Sequence, residues 1–325
     1  MRSRARRAIL PAGADRRYAV EDLTLKVAAG EIVCVVGESG SGKSVSAFTV
    51  MGLLPGEVKP VAGSIRLEGE ELIGTTEQRL RTLRGSRMAM IFQEPMTALD
   101  PVFTIGEQIA ETYRTHFPVS KRAARERAIA MLADVGIPAP ERRYDEYPHQ
   151  LSGGMRQRVM IAMALVCEPK LIIADEPTTA LDVTVQAQII DLLRDLSTRM
   201  GTALVFITHD LGVVAEICTR VVTMYAGEVI EDGAVDDVLT RPRHPYTSGL
   251  LSSLPGLAAR HSRLPSIPGR VPSPAAMPAG CRFRARCPHA IEGCEQEQAL
   301  LEVAVSHSAR CWRAPELVLP GAVRA

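Results

Sequence analysis

Apolar residues fall along this chain in two alternating rhythms. Ile32–Val36 is a near-continuous apolar run ending at a glycine, and Met88–Phe92, Leu171–Ala174 and Ala203–Thr208 repeat the pattern. Such runs predict strands buried on both faces, as in a parallel sheet. Between Val183 and Met200 the positions Val185, Ile189, Leu192, Leu193 and Leu196 recur at helical spacing with Asp and Arg between them. That spacing predicts an amphipathic helix. Strands alternating with helices from Val20 to about Leu254 imply an α/β fold with a mostly parallel sheet. From Ile105 to Val166 strong strands disappear, and the stretch around residues 95–166 reads as a helical insert. Beyond Leu254, Pro255, Pro265, Pro268, Pro272, Pro274 and Pro278 exclude a long helix and suggest an extended linker. The expected division is therefore 1–254 and a small Pro/Cys-rich extension over 255–325. No internal repeat is legible.

Composition narrows the function classes. A chain of 325 residues suggests about two domains. Its 38 basic and 37 acidic side chains leave a net charge of +1, which argues against nucleic acid as a partner. No apolar run reaches the about 18 residues that cross a bilayer. The first residues, MRSRARRAILPAG, lack the apolar stretch of a secretory signal and read as a poorly ordered start. Cys34, Cys167 and Cys218 sit singly in apolar surroundings and read as small buried hydrophobes.

Three motifs carry chemistry. Gly37, Glu38, Ser39, Gly40, Ser41, Gly42, Lys43 and Ser44 follow the Ile32–Val36 strand and fit the phosphate-binding loop G-x-x-x-x-G-K-[ST]. Glycines let the backbone wrap so that its N–H groups and the helix start point at phosphate oxygens. Lys43 would reach the β- and γ-phosphates and Ser44 would ligate Mg²⁺. The Leu171–Ala174 strand runs into Asp175 and Glu176. A carboxylate there suits Mg²⁺ through its water shell (Asp175), and the next suits a general base for water (Glu176). Ser152, Gly153 and Gly154 open another helix and make a second anion site. One mononucleotide does not need two phosphate cradles on one chain.

The P-loop, Phe92-Gln93-Glu-Pro, Leu151-Ser-Gly-Gly-Met155, Ile173-Ala-Asp-Glu-Pro177, Ala180-Leu-Asp182 and Thr208-His209-Asp210 stand in the order of ABC transporter ATP-binding subunits. The chain resembles that family from about Ala19 to Leu254. The resemblance implies a P-loop NTPase (RecA-like) α/β core with a helical subdomain, working as a head-to-tail dimer. In that arrangement Ser152, Gly153 and Gly154 serve the γ-phosphate bound on the partner, and Asp182 organises the interface. His209 contacts the γ-phosphate from the same chain as Glu176. Gln93 senses Mg²⁺ and the attacking water, linking them to the insert that docks on membrane subunits. One departure stands out. The family usually begins with a further strand and an adenine-stacking aromatic, but no strand is legible before Ala19. The aromatic's expected position falls at Ala14. Tyr18 is the nearest substitute, a strand-edge tyrosine being the plain alternative. A truncated or unusual start is the expectation.

Phe92–Pro101, Thr104–Gln108, Pro177–Gln188, His244-Pro-Tyr-Thr247 and Pro278–Cys287 resemble the oligopeptide/dipeptide/nickel importer subfamily. That likeness implies an ATPase energising peptide uptake, with nickel or glutathione as alternative solutes. Implied partners are a second ATPase subunit (a copy or a paralogue), two transmembrane permeases and an extracytoplasmic solute-binding protein. The implied location is the cytoplasmic face of a prokaryotic membrane. A soluble non-transport ABC ATPase is the competing class, but one ATPase unit without a heptad run disfavours it. The intact motifs argue against a catalytically weak half. Cys281, Cys287, Cys294 and Cys311 suit a [4Fe–4S] cluster, a tetrahedral zinc or no ligand, with His289 and His307 as substitute ligands or, more plainly, surface histidines. The short C-x2–4-C pairs usual for zinc are absent, and a reducing cytosol disfavours disulfides.

Overall fold

The computed structural model describes residues 2–9, 18–54, 59–179, 181–254, 265–272 and 276–322. The strands in chain order are β1 (Arg2–Ile9), β2 (Tyr18–Lys26), β3 (Ile32–Val36), β4 (Lys59–Leu67), β5 (Glu70–Glu71) and β6 (Met88–Ile91). They continue with β7 (Leu171–Asp175), β8 (Ala203–Thr208), β9 (Arg220–Tyr225), β10 (Glu228–Ala234), β11 (Leu301–Ala304) and β12 (His307–Ala309). The helices are α1 (Lys43–Met51), α2 (Glu77–Leu83), α3 (Pro95–Ala98), α4 (Ile105–His116), α5 (Lys121–Asp134) and α6 (Pro140–Arg143). After them come α7 (Gly153–Leu165), α8 (Val183–Met200), α9 (Leu211–Ile217), α10 (Val235–Thr240) and α11 (Pro245–Ser252). The chain divides into two compact units: Met1–Lys26, Val33–Ile73 and Thr208–Ala325 form one, Val27–Ile32 and Gly74–Ile207 the other.

The first unit holds an antiparallel sheet in the order β2-β1-β4-β5. Its strand β1 corrects the expectation of a strandless, poorly ordered start. Arg2 to Ile9 pairs with β2 on one side and β4 on the other, Arg2 standing opposite both Lys26 and Arg66. The sequence hides this strand because it lacks β-branched residues before Ile9, and backbone pairing on both edges overrides weak propensity. Ala14 lies outside the described residues. Tyr18 begins β2, and its side chain, with the adenine-stacking role expected of it, lies outside the described residues.

A second sheet in this unit sets β3 parallel to β9, from Val33 beside Arg220 to Val36 beside Thr223. All five residues of β3 are buried, as the continuous apolar run requires. β9 continues antiparallel into β10, and β10 pairs with β12, which pairs with β11. The carboxy-terminal extension thus adds strands to this sheet. It also inserts Phe283, 2% exposed, between Tyr225 and Tyr246 at ring separations of 5.2 and 5.3 Å. Cys281, Cys287, Ile267 and Val271 pack on that aromatic cluster. Cys34 on β3 and Cys218 beyond α9 are buried, as expected of small hydrophobes, and lie side by side with Cα atoms 5.8 Å apart. Their 184-residue separation is closed by the β3–β9 pairing, which no local pattern reveals. Cys167 is buried and free.

In the second unit β6, β7 and β8 run parallel, Met88 beside Leu171 and Leu171 beside Ala203. Between β6 and β7 every regular element is helical, as the sequence pattern predicts. α4 begins with a capping box of Thr104 and Glu107. Gly106 lies against the Tyr144 ring so closely that a Cβ there would stand 2.1 Å from it. Arg125 covers that ring and grips Asp145 through two bonds of 3.0 and 2.9 Å. No helix among the described residues is long and apolar enough to cross a membrane.

Candidate functional site

Each unit holds part of the constellation that the motifs predict. In the first, the P-loop follows β3 and leads into α1. Gly37 takes φ +154°, and a Cβ there would sit 2.2 Å from the Met224 carbonyl oxygen on β9. Only glycine lets the loop pass. Gly40 and Gly42 take φ +79° and +100°, conformations that glycine adopts without steric cost. Gly42 precedes α1 and no side chain caps the helix start, the arrangement of an anion-binding helix N-terminus. Lys43 is 6% exposed and donates from Nζ to the carbonyls of Gly37 (2.7 Å) and Glu38 (3.2 Å). Ser41 Oγ is buried with no hydrogen-bond partner. A loop of wrapped glycines, an uncapped helix start, a buried lysine and an orphaned hydroxyl fit a bound phosphate chain.

Ser39 is an exposed member of that loop and Ser44 a half-buried one. Glu38 is held from two directions. Its backbone N–H donates to Tyr246 Oη at 2.8 Å, and its carboxylate accepts from both Arg286 terminal nitrogens at 2.9 and 3.1 Å. His209, exposed at the end of β8, precedes Asp210, whose carboxylate caps α9 by accepting from Gly212 N at 2.8 Å.

In the second unit, β7 delivers Asp175, 4% exposed, and then Glu176. Glu176 takes φ +47°, a left-handed conformation that is uncommon for glutamate and recurs at functional sites. Its backbone N–H donates to the Ile207 carbonyl at 3.0 Å. Its Oε2 accepts from Gln93 Nε2 at 3.4 Å and from Thr179 Oγ1 at 3.0 Å. Gln93 and Glu176, 83 residues apart, are thus brought together. Thr179 was visible only as part of the string after Pro177.

Ser152 caps α7, its Oγ accepting from Met155 N at 3.4 Å. Nothing lies within 4 Å of a Cβ placed on Gly153, whereas one on Gly154 would stand 2.9 Å from Val185 Cγ1. Gly153 leaves open space and Gly154 permits packing against α8. Asp182 is exposed and caps α8 by accepting from Val185 N at 2.9 Å.

Cys281, Cys287, Cys294 and Cys311 line one pocket together with His244, His289 and Trp312. Burial pushes the Cys281 thiol up to about 11, and the neighbouring Cys287, Cys311 and Cys294 add to the shift. Burial also raises Cys287 and Cys311. Among the described residues no three His, Cys, Asp or Glu side chains are placed to hold one metal ion. His307 is committed elsewhere, its Nε2 lying 2.7 Å from the buried Glu231 carboxylate. Sequence reasoning missed roles for Tyr246 and Arg286, although both stand inside strings it singled out.

Comparison with known proteins follows the same lines. A family profile described as ABC transporter matches residues 20–179, and one described as Oligopeptide/dipeptide transporter, C-terminal region, matches 230–294. The chain is 53% identical to the probable peptide ABC transporter ATP-binding protein y4tR of Sinorhizobium fredii, covering 92% of this chain and 90% of that one. It is 50% identical to the oligopeptide transport ATP-binding protein AppD of Bacillus subtilis, with 90% of each chain covered. Identity is also 50% to the dipeptide transport ATP-binding protein DppD of Haemophilus influenzae, over 90% and 89% of the two chains. Among solved structures, the ATP-binding cassette MJ0796, a dimer in a post-hydrolysis state bound to ADP and Pi, gives a TM-score of 0.64 at 29% identity. That match covers 72% of this chain and 99% of the cassette.

Proposed function

The chain belongs to the ABC transporter ATP-binding proteins and carries their oligopeptide/dipeptide-type C-terminal region, and from that premise we propose that it hydrolyses ATP to energise import of di- and oligopeptides. The observation that carries the solute class is the joint presence of the ATPase motifs and the 230–294 match, since relatives covered almost end to end are named for peptide transport. Nickel complexes and glutathione are the alternative solutes.

Within the nucleotide site, the amides of Gly37 to Ser44 and the Lys43 ammonium hold the phosphates. Ser44, Gln93 and Asp175 would hold Mg²⁺, which supplies charge neutralisation at the phosphate oxygens when bound. Glu176 takes a proton from water as its oxygen attacks the γ-phosphorus. The bond from that phosphorus to the β–γ bridging oxygen breaks, leaving ADP and phosphate. Support for Glu176 as base comes from its fixed carboxylate, held by Gln93 and Thr179. His209 contacts the γ-phosphate, and Tyr18 is the candidate against adenine. Ser152, Gly153 and Gly154 close over the nucleotide of a head-to-tail partner with Asp182 at the interface. The open space at Gly153 supports that role. Closure on ATP and reopening after hydrolysis would drive alternating access.

The chain works with two permeases and a solute-binding protein, peripherally at the cytoplasmic membrane face. Phe92, Met96, Val102 and Phe103 are exposed apolar side chains within twelve residues of one another, which suits docking of the helical part (95–166) on a permease. The division into an ATPase domain (1–254) and an extension (255–325) belongs to the same proposal. So does a [4Fe–4S] cluster on Cys281, Cys287, Cys294 and Cys311. A single zinc needs its sulfurs about 3.8 Å apart around one point, given bonds of about 2.3 Å. In a four-iron cluster each thiolate meets its own iron, so four thiols around one pocket suit it without a common point.

Uptake of a labelled dipeptide, a longer peptide, Ni²⁺ and glutathione in cells lacking this gene tests the proposal. Wild-type protein restores peptide uptake and Glu176→Gln does not. Restoration of Ni²⁺ or glutathione alone would move the solute, and restoration of none would return the non-transport class.

A further inference from the structure

The Cys-rich extension reaches the nucleotide loop through one side chain. Arg286 ends the short 3-10 turn Arg284–Arg286, directly before Cys287. Its side chain is 7% exposed and lies 5.7 Å from the Tyr225 ring centre. Nε donates to the Pro268 carbonyl at 2.9 Å, which anchors the guanidinium to the proline-rich segment. The two terminal nitrogens then grip the Glu38 carboxylate side-on, across 248 residues of chain. Glu38 is the second residue of the P-loop, and its own carbonyl accepts from Lys43 Nζ.

Glu38 puts a carboxylate into a loop built for polyphosphate. Its charge opposes the incoming phosphates, and at short range in a partly buried loop that opposition is costly. A bidentate arginine removes the charge and fixes the carboxylate's direction. The Tyr246 hydroxyl, accepting from Glu38 N–H, pins the backbone at the same residue. Burial raises the Tyr225 and Tyr246 phenols, so both rings stay neutral beside this ion pair.

We propose that Arg286 is a positioning residue for nucleotide binding: it neutralises and aims Glu38 so that the P-loop accepts the phosphates of ATP. The inference rests on the nucleotide reading above and extends it to a residue of the C-terminal extension. The alternative, that Arg286 only holds Pro268 and the aromatic cluster in place, predicts an effect that does not depend on Glu38.

A double-substitution cycle on the full-length chain separates the two, with affinity read by titrating N-methylanthraniloyl-ATP in the presence of Mg²⁺. Arg286→Gln weakens binding about tenfold in otherwise wild-type protein. In protein already carrying Glu38→Gln, the same substitution costs less than about twofold. Arg286→Lys, which keeps the charge and loses the fork, stays within about threefold of wild type. Equal losses from Arg286→Gln with and without Glu38→Gln would overturn the proposal, as would an Arg286→Lys protein as weak as Arg286→Gln. Absence of binding by the wild-type chain would sink the nucleotide reading itself, and the proposal with it.

Discussion

His244 is 1% exposed, and its Nδ1 caps α11 by accepting from Tyr246 N–H at 3.1 Å. Burial pushes its pKa down to about 3 from an ordinary 6.5, and the Arg310 charge adds to the effect. Glu231, which accepts from His244 N–H, and His307 complete the surrounding polar groups. The unfolded chain binds a proton near pH 6.5 that the folded chain refuses. The cap's contribution is therefore complete above that pH and lost as pH falls toward 3. Between pH 6.5 and 4 the loss is about 3 kcal/mol. Urea unfolding of wild type and His244→Asn across that range checks this. The variant keeps a capping oxygen and shows a shallower decline, whereas equal slopes would contradict the assignment. His244 was legible as part of His-Pro-Tyr, but its role was not. The motif residues were legible because each motif is a short string with fixed local spacing. Arg286 and Thr179 act on other side chains, and pairings such as Arg286 with Glu38 leave no local trace.

Among the elements, the parallel strands were legible because burial on both faces forces continuous apolar runs, as in β3 and β8. β1 was not legible, because a strand flanked by two partners tolerates Arg-Ser-Arg-Ala-Arg-Arg through backbone pairing alone. Nor was the docking of β11 and β12 onto β10, which brings His307 to Glu231. The four cysteines of the extension line one pocket, where burial raises the thiols of Cys281, Cys287 and Cys311. Full-length protein purified without oxygen should contain about four irons and four sulfides, with broad absorption near ~400 nm. Cys311→Ser should lower all three. Protein free of iron and sulfide under those conditions would rule the cluster out and leave four free thiols.

At the scale of the molecule, the sequence motifs fall in both compact units. The phosphate loop and His209 belong to one, and Asp175, Glu176, Gln93 and the Ser152–Gly154 turn to the other. The order of the motifs made this family legible, and the matches along 92% of the chain bear it out. What the order could not convey is that the extension belongs with the unit that carries the P-loop. Phe283 sits among that unit's aromatics and Arg286 on its P-loop. In the proposed mechanism Glu176 is the base that activates water as bound ATP becomes ADP and phosphate. Phosphate release from MgATP, measured beside bound nucleotide on the full-length chain, tests it most directly. Wild type turns over, while Glu176→Gln retains ATP and releases phosphate at least about a hundredfold more slowly. Undiminished release by Glu176→Gln would contradict the account.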